Sequence, residues 1–196
     1  MEVATLETFV PLELNLNLSD KQFFELCQNN RNLRFERTAT GEVIIMPPTG
    51  SDTGNRNGRL IQQLFNWTDT NDLGVAFDSS AGFKMPNGGN RSPDASWIQK
   101  ERWDGLTEAQ KQQFAPLCPD FVVELRSASD SLNELQDKMR EYLENGVRLG
   151  WLIDRQNIRV EIYRPGQDVE IIESPETLSG EDVLPGFVLD LGLILS

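Results

Sequence analysis

The chain has 196 residues, 38% of them hydrophobic and 25% charged, values that exclude a fibrous or intrinsically disordered chain. Its formal net charge of -13 disfavours loose, sequence-independent binding to a phosphate backbone, which relies on many Lys and Arg contacts. There is no histidine, which excludes Ser-His and Cys-His triads and metal sites built on imidazole, so catalysis would fall to carboxylates, Lys, Arg, Tyr or an oxygen-bound hard metal.

From Met1 to Leu18 the chain carries Glu2, Glu7 and Glu13, with neither a basic start nor a continuous apolar run. It is read as neither a signal peptide nor a membrane span, and a cytoplasmic location is expected. Ser19 with Gln22 three residues on is a capping box that opens a helix through Asn29, with Phe23, Phe24 and Cys27 on its buried face. Leu33–Arg37 and Glu42–Met46 flank a Thr-Ala-Thr-Gly turn as a hairpin that Pro47-Pro48-Thr49-Gly50 ends. Residues 50–58 are Gly-rich but lack the Lys-Ser/Thr ending of a phosphate loop, so they are read as a loop before a helix. That helix is predicted from about Asn55 to Thr68 by the spacing of Leu60, Ile61, Leu64 and Phe65.

Strands follow at Val75–Asp78, Gly82–Met85 and Ala95–Ile98, then a polar, partly helical stretch over Glu101–Phe114. Phe121–Arg126 is the central-strand candidate. A helix capped by Ser131 and Glu134 runs to Gly146 with Leu132, Leu135, Met139, Tyr142 and Leu143 at helical spacing. Val147–Asp154 and Ile158–Tyr163 form a strand pair, and Val169–Glu173 a further strand. No repeat or long linker appears, so one domain over residues 1–196 is expected. Cys27 and Cys118 are too far apart for a thiolate motif and read as core residues. Trp97, Trp103 and Trp151 read as core or edge residues ahead of base-stacking platforms. The charge is uneven: residues 31–60 hold five Arg against three acids, whereas residues 161–196 hold Arg164 against eight acids.

In Phe121-Val122-Val123-Glu124-Leu125-Arg126 the period of two puts Glu124 and Arg126 on one face. A carboxylate inside an apolar strand needs a cation, a metal or a water-filled cleft to offset its desolvation. Glu124 is therefore either a structural partner of Arg126 or a ligand. Asp94 follows Pro93 at the mouth of a strand, as a turn aspartate or a site residue. Lys138 flanks the apolar stripe of its helix, either paired with Glu134 at i,i+4 or running its stem along the sheet to bring its ammonium beside Glu124. Glu36 is either a salt-bridge partner of Arg34 or Arg37 or an additional acidic ligand.

Arg91-Ser-Pro-Asp-Ala-Ser-Trp97, Pro119-Asp-Phe-Val-Val-Glu-Leu-Arg-Ser127, Asp137-Lys-Met-Arg-Glu-Tyr-Leu-Glu-Asn-Gly-Val147 and Gly150-Trp-Leu-Ile-Asp154 closely resemble the Uma-two family of restriction-endonuclease-like proteins, within the PD-(D/E)XK nuclease superfamily. Arg34-Phe-Glu-Arg37 and Gly41-Glu-Val-Ile-Ile-Met-Pro-Pro-Thr-Gly50 extend the resemblance, which covers about Ser19 to Gly166. It implies an α/β fold with a restriction-endonuclease-like core: a central mixed β-sheet flanked by helices, with an N-terminal helix and hairpin. It further implies Asp94 and Glu124 as ligands of Mg²⁺ or Mn²⁺ and hydrolysis of DNA phosphodiester bonds by a metal-activated water, while Glu36 stays open between an added ligand and a salt-bridge partner. A homodimer is expected, since cutting both strands of a duplex commonly uses two sites. The superfamily places a Lys two residues after the Glu, where this chain has Arg126, which stays protonated and can only stabilise charge. Lys138 is the candidate to supply the missing ammonium. Without it, the chain would be a catalytically degenerate nuclease fold serving as a nucleic-acid-binding or protein-binding module.

Overall fold

The computed structural model describes residues 12–46 and 48–196, so the expectations for residues 1–11 and for Pro47 lie outside the described residues. In chain order the elements are β1 (Leu12–Asn15), α1 (Asp20–Asn29), β2 (Arg34–Arg37), β3 (Glu42–Met46), α2 (Ser51–Asn71), β4 (Gly74–Asp78), β5 (Phe83–Lys84), β6 (Asn90–Arg91) and β7 (Ala95–Gln99). They continue with α3 (Lys100–Asp104), α4 (Glu108–Lys111), β8 (Phe121–Leu125), α5 (Leu132–Glu144), β9 (Leu149–Asp154) and β10 (Arg159–Tyr163). The last are β11 (Glu170–Glu173), β12 (Thr177–Ser179), β13 (Val188–Asp190) and α6 (Gly192–Leu195). Among the described residues no helix is long and apolar enough to cross a membrane.

The architecture is the expected mixed α/β one. A six-stranded sheet runs β11-β10-β9-β8-β7-β4. Only β8 and β9 are parallel neighbours; the other pairs are antiparallel. Parallel neighbours need a crossover, and α5 supplies it between β8 and β9. The hairpin β2–β3 belongs to a second sheet, ordered β1-β3-β2-β6-β5.

Strand alternation sorts the two faces of the main sheet. Phe121, Val123 and Leu125 of β8 join Trp151 and Ile153 of β9 in a core closed by Leu60 and Leu64 of α2 and by Phe187, Leu189 and Ile194 near the C-terminus. On the opposite face Val122 and Leu152 pack against Met139 and Tyr142 of α5. Gly150 permits that close approach, because a Cβ there would stand 2.5 Å from Met139 Cε. Glu124 shares the α5 face with Val122, so the same alternation that builds the core aims this carboxylate at the helix.

Three local expectations need correction. Residues 50–58, expected as a loop, are largely helix: α2 starts at Ser51 and contains Gly54 and Gly58. Burial of Thr53, Asn57, Leu60, Leu64 and Thr68 along one stripe, with an Asp52–Arg56 pair at 3.2 Å, outweighs a glycine cost of about 1 kcal/mol each. The capping box at Ser19 forms, but Ser131 makes no side-chain cap. Fully burying Met139 and Tyr142 stabilises α5 by about 1.5–3 kcal/mol per side chain, more than the roughly 1 kcal/mol of a missing cap. Arg126 does not continue the strand. β8 ends at Leu125, Arg126 N–H donates to Ile153 O at 3.0 Å, and its Nη1 donates to both oxygens of Asp154 at 3.0 and 3.2 Å. The elements β1, β6, β12, β13 and α6 were not foreseen, being too short to establish a period.

Asp154 is fully buried and also accepts from Asn157 Nδ2 at 2.6 Å. Replacing it by Ala strands Arg126 and should lower the unfolding free energy in urea at pH 7 by about 3 kcal/mol. Burial pushes the Asp154 carboxyl up, but Asn157 and Arg126 outweigh it and hold it below the ordinary range. The unfolded chain therefore takes this proton first. The contribution is complete above the unfolded value and is lost as pH falls through it toward the folded one, so the gap between wild type and Asp154→Asn should narrow below about pH 4.

Candidate active site

Four elements converge on one cavity of about 150 Å³, lined among others by Glu36 of β2, Asp94 at the mouth of β7, Glu124 of β8 and Lys138 of α5. Lys138 Nζ lies 2.9 Å from Glu124 Oε1 and 2.8 Å from Glu36 Oε1, with its side chain only 10% exposed. Its stem runs along the sheet as the helical position implied, and its partners are these two acids rather than Glu134. One turn further on, Tyr142 donates its hydroxyl to the same Glu124 Oε1 at 2.9 Å. Both bonds of Glu124 end on Oε1, and Oε2 carries none among the described residues.

Asp94 is set by the backbone as well as by α2. Its Oδ2 accepts from Leu125 N–H at 2.9 Å and its Oδ1 from Asn57 Nδ2 at 3.1 Å. The first bond ties Asp94 to the residue that follows Glu124, across the antiparallel β7–β8 pair, and so couples the two carboxylates through the sheet. Glu36 has no such freedom: Lys138 and Ser92 N–H occupy Oε1 and Arg91 Nη1 occupies Oε2 at 2.9 Å. Arg91 in turn reaches Glu141 on α5 at 2.5 Å.

The protonation balance follows from this crowding. Burial raises the Glu124 carboxyl to about 7; Lys138 opposes this while Asp94 and Glu36 add to it. Burial likewise raises Asp94, against the bonds from Leu125 N–H and Asn57. Glu36 stays below the ordinary carboxylate range, because Lys138 and Arg91 outweigh its burial. Lys138 is raised, since Glu124 and Glu36 outweigh the desolvation of its ammonium. It is a fixed cation.

The structure thus brings together Asp94, Glu124, Lys138 and Glu36. It does not bring Arg126 to them, since that guanidinium is held by Asp154. Glu36 pairs with Arg91 and Lys138, not with Arg34 or Arg37 as weighed from the sequence, because Arg37 lies on the opposite face of β2 and reaches Asp20 at 2.5 Å. Tyr142, Arg91 and Asn57 were missed. Tyr142 was legible as the i,i+4 neighbour of Lys138 but was assigned to the apolar stripe, and Asn57 was hidden by the late start expected for α2.

Among the described residues no group of three or more His, Cys, Asp or Glu side chains is arranged to hold a metal ion. The donor set nevertheless fits Mg²⁺ or Mn²⁺. These hard ions take carboxylate oxygens, and Mg²⁺ is commonly held by one or two of them, with waters and substrate phosphates completing the shell. Asp94 and Oε2 of Glu124 would supply two, and a divalent ion would relieve their mutual repulsion. Glu36 is already neutralised by two cations, Lys138 and Arg91, and does not fit as a third.

The Uma2 family model, described as "Putative restriction endonuclease", matches residues 20–192. A solved structure, a "putative nuclease belonging to DUF820" from Anabaena variabilis, is 18% identical, with a TM-score of 0.70 over 82% of this chain and 89% of that one. At that identity the likeness shows a shared fold. Among curated proteins there is no match.

If Lys138 is the common counter-charge of two buried carboxylates, Lys138→Met should destabilise the protein by about 3 kcal/mol at pH 8, read by urea unfolding. Glu124→Gln should cost no more than about 1 kcal/mol, because Lys138 keeps Glu36. Equal losses would contradict the shared-cation geometry.

Proposed function

We propose that this chain, which belongs to the Uma2 family, is a metal-dependent endonuclease that hydrolyses DNA phosphodiester bonds. The observation that carries the reading is the placement of Lys138 Nζ at 2.9 Å from Glu124 beside Asp94, which restores a cation to a site whose strand has Arg126 two residues after the Glu. Asp94 and Glu124 Oε2 would hold Mg²⁺ or Mn²⁺. When bound, such an ion lowers the pKa of a coordinated water and offsets charge on the phosphate.

The chain's own groups do the rest. Lys138 remains protonated, so it serves as an electrostatic stabiliser of negative charge developing on the phosphoryl oxygens and not as a general base. Tyr142 and Lys138 together hold Glu124 by one oxygen and leave the other for the ion. Tyr142 is thus a positioning residue, as are Glu36, which holds Lys138 from behind, and Asn57, which orients Asp94. The degenerate, non-cutting alternative drew its support from the net charge of -13 and from Arg126. Lys138 removes the second of these supports. We read the chain as one domain that works as a homodimer when it cuts both strands of a duplex.

Incubating the purified protein with plasmid DNA and Mg²⁺ or Mn²⁺ tests the reading. Nicking or linearisation is expected for wild type, with a loss of at least about 10³-fold for Glu124→Ala and Asp94→Asn, in the range seen when one key electrostatic group is removed. Tyr142→Phe should lose about tenfold and Lys138→Met more. Equal cleavage by wild type and Glu124→Ala would sink the assignment.

A further inference from the structure

Five carboxylates line the cavity against two cations, Arg34 and Lys138. Lys138 is taken up by two of those carboxylates. Arg34 is different: among the described residues it pairs with no acid, and its Nη2 donates to Ser79 Oγ at 2.5 Å. That bond fixes the guanidinium and leaves its other N–H groups free.

The direction of Arg34 follows from the strand. Side chains two apart on β2 share a face, so Arg34 points the same way as Glu36, about 7 Å further along. The intervening residues confirm the split. Phe35 packs with Phe23 in a separate core, and Arg37 lies over the Phe23 ring at 4.9 Å. Glu36 is buried against Lys138, whereas Arg34 is exposed at the rim of the same cavity. A polyanion entering a cleft this acidic meets one positive group that forms no ion pair among the described residues, although its charge helps to lower the Asp94 carboxyl. A planar fork of N–H donors suits phosphate oxygens.

We infer that Arg34 forms a phosphate-binding subsite at the rim of the cleft, taking the oxygens of a DNA phosphodiester that neighbours the one to be cut. The inference rests on the nuclease reading above. It also accounts for how a chain of net charge -13 binds DNA at all: local charge at the rim and at the bound ions replaces a broad basic surface.

Binding of a fluorescein-labelled DNA duplex to the full chain, followed by anisotropy in Ca²⁺ across a KCl series, tests it. Arg34→Ala should weaken binding about tenfold and lower the slope of log K against log salt by about 0.9, the loss of one phosphate contact. Arg34→Lys should recover part of the affinity. Arg59→Ala, which removes the same charge from an exposed position of α2 outside the cavity lining, should change affinity by less than about twofold. Tight binding by wild type with unchanged affinity and slope for Arg34→Ala would overturn the subsite and leave the nuclease reading standing. Equal losses for Arg34→Ala and Arg59→Ala would overturn it too, by showing a general charge effect. No binding of DNA by wild type would overturn both.

Discussion

The ammonium of Lys138, held between Glu36 and Glu124, is the contact on which the rest of the site depends. Two buried carboxylates from different sheets would repel each other without it. With it, β2 of the smaller sheet, β8 of the larger one and α5 are drawn to one point. Its geometry has two requirements: the alternation of β8 must turn Glu124 toward α5, and α5 must come close enough to the sheet, which Gly150 allows.

Around that contact the polar groups fall into a committed set and an available set. Glu36 is paired with Lys138 and Arg91, and Tyr142 is spent on Glu124 Oε1, so these groups have little capacity left. Asp94 and the free oxygen of Glu124 remain at the cavity, with Asp94 oriented by Leu125 N–H and Asn57. This division gives a chain rich in acids a small number of carboxylate oxygens aimed at one place. The same division separates Arg126 from Arg34. Arg126 is spent on holding the end of β9 through Asp154, and Arg34 faces the cleft with no ion-pair partner among the described residues.

Much of this was legible before the fold was known, for reasons that differ between residues. Strand alternation placed Glu124 away from Phe121 and Val123, and the helical position of Lys138 beside its apolar stripe allowed a reach to the sheet. The family resemblance linked Asp94 to them across the sequence. What could not be read were features set by long-range pairing. Arg126 was expected to share the face of Glu124, but the strand ends one residue earlier and the parallel register with β9 offers Asp154 instead. Glu36 finds Arg91, far away in sequence, because β6 pairs with β2. The helical start at Ser51, which sets Asn57 on Asp94, was masked by glycines whose local cost is outweighed by burial.

The central claim is that Asp94 and Glu124 form a single divalent-ion site whose lysine comes from α5. Anomalous diffraction from crystals soaked in Mn²⁺ tests it most directly. The account predicts one strong peak beside the Asp94 and Glu124 carboxylates, with Lys138 still on Glu124 Oε1 and Glu36. A peak elsewhere on the chain, or carboxylates too far apart to share the ion, would contradict it.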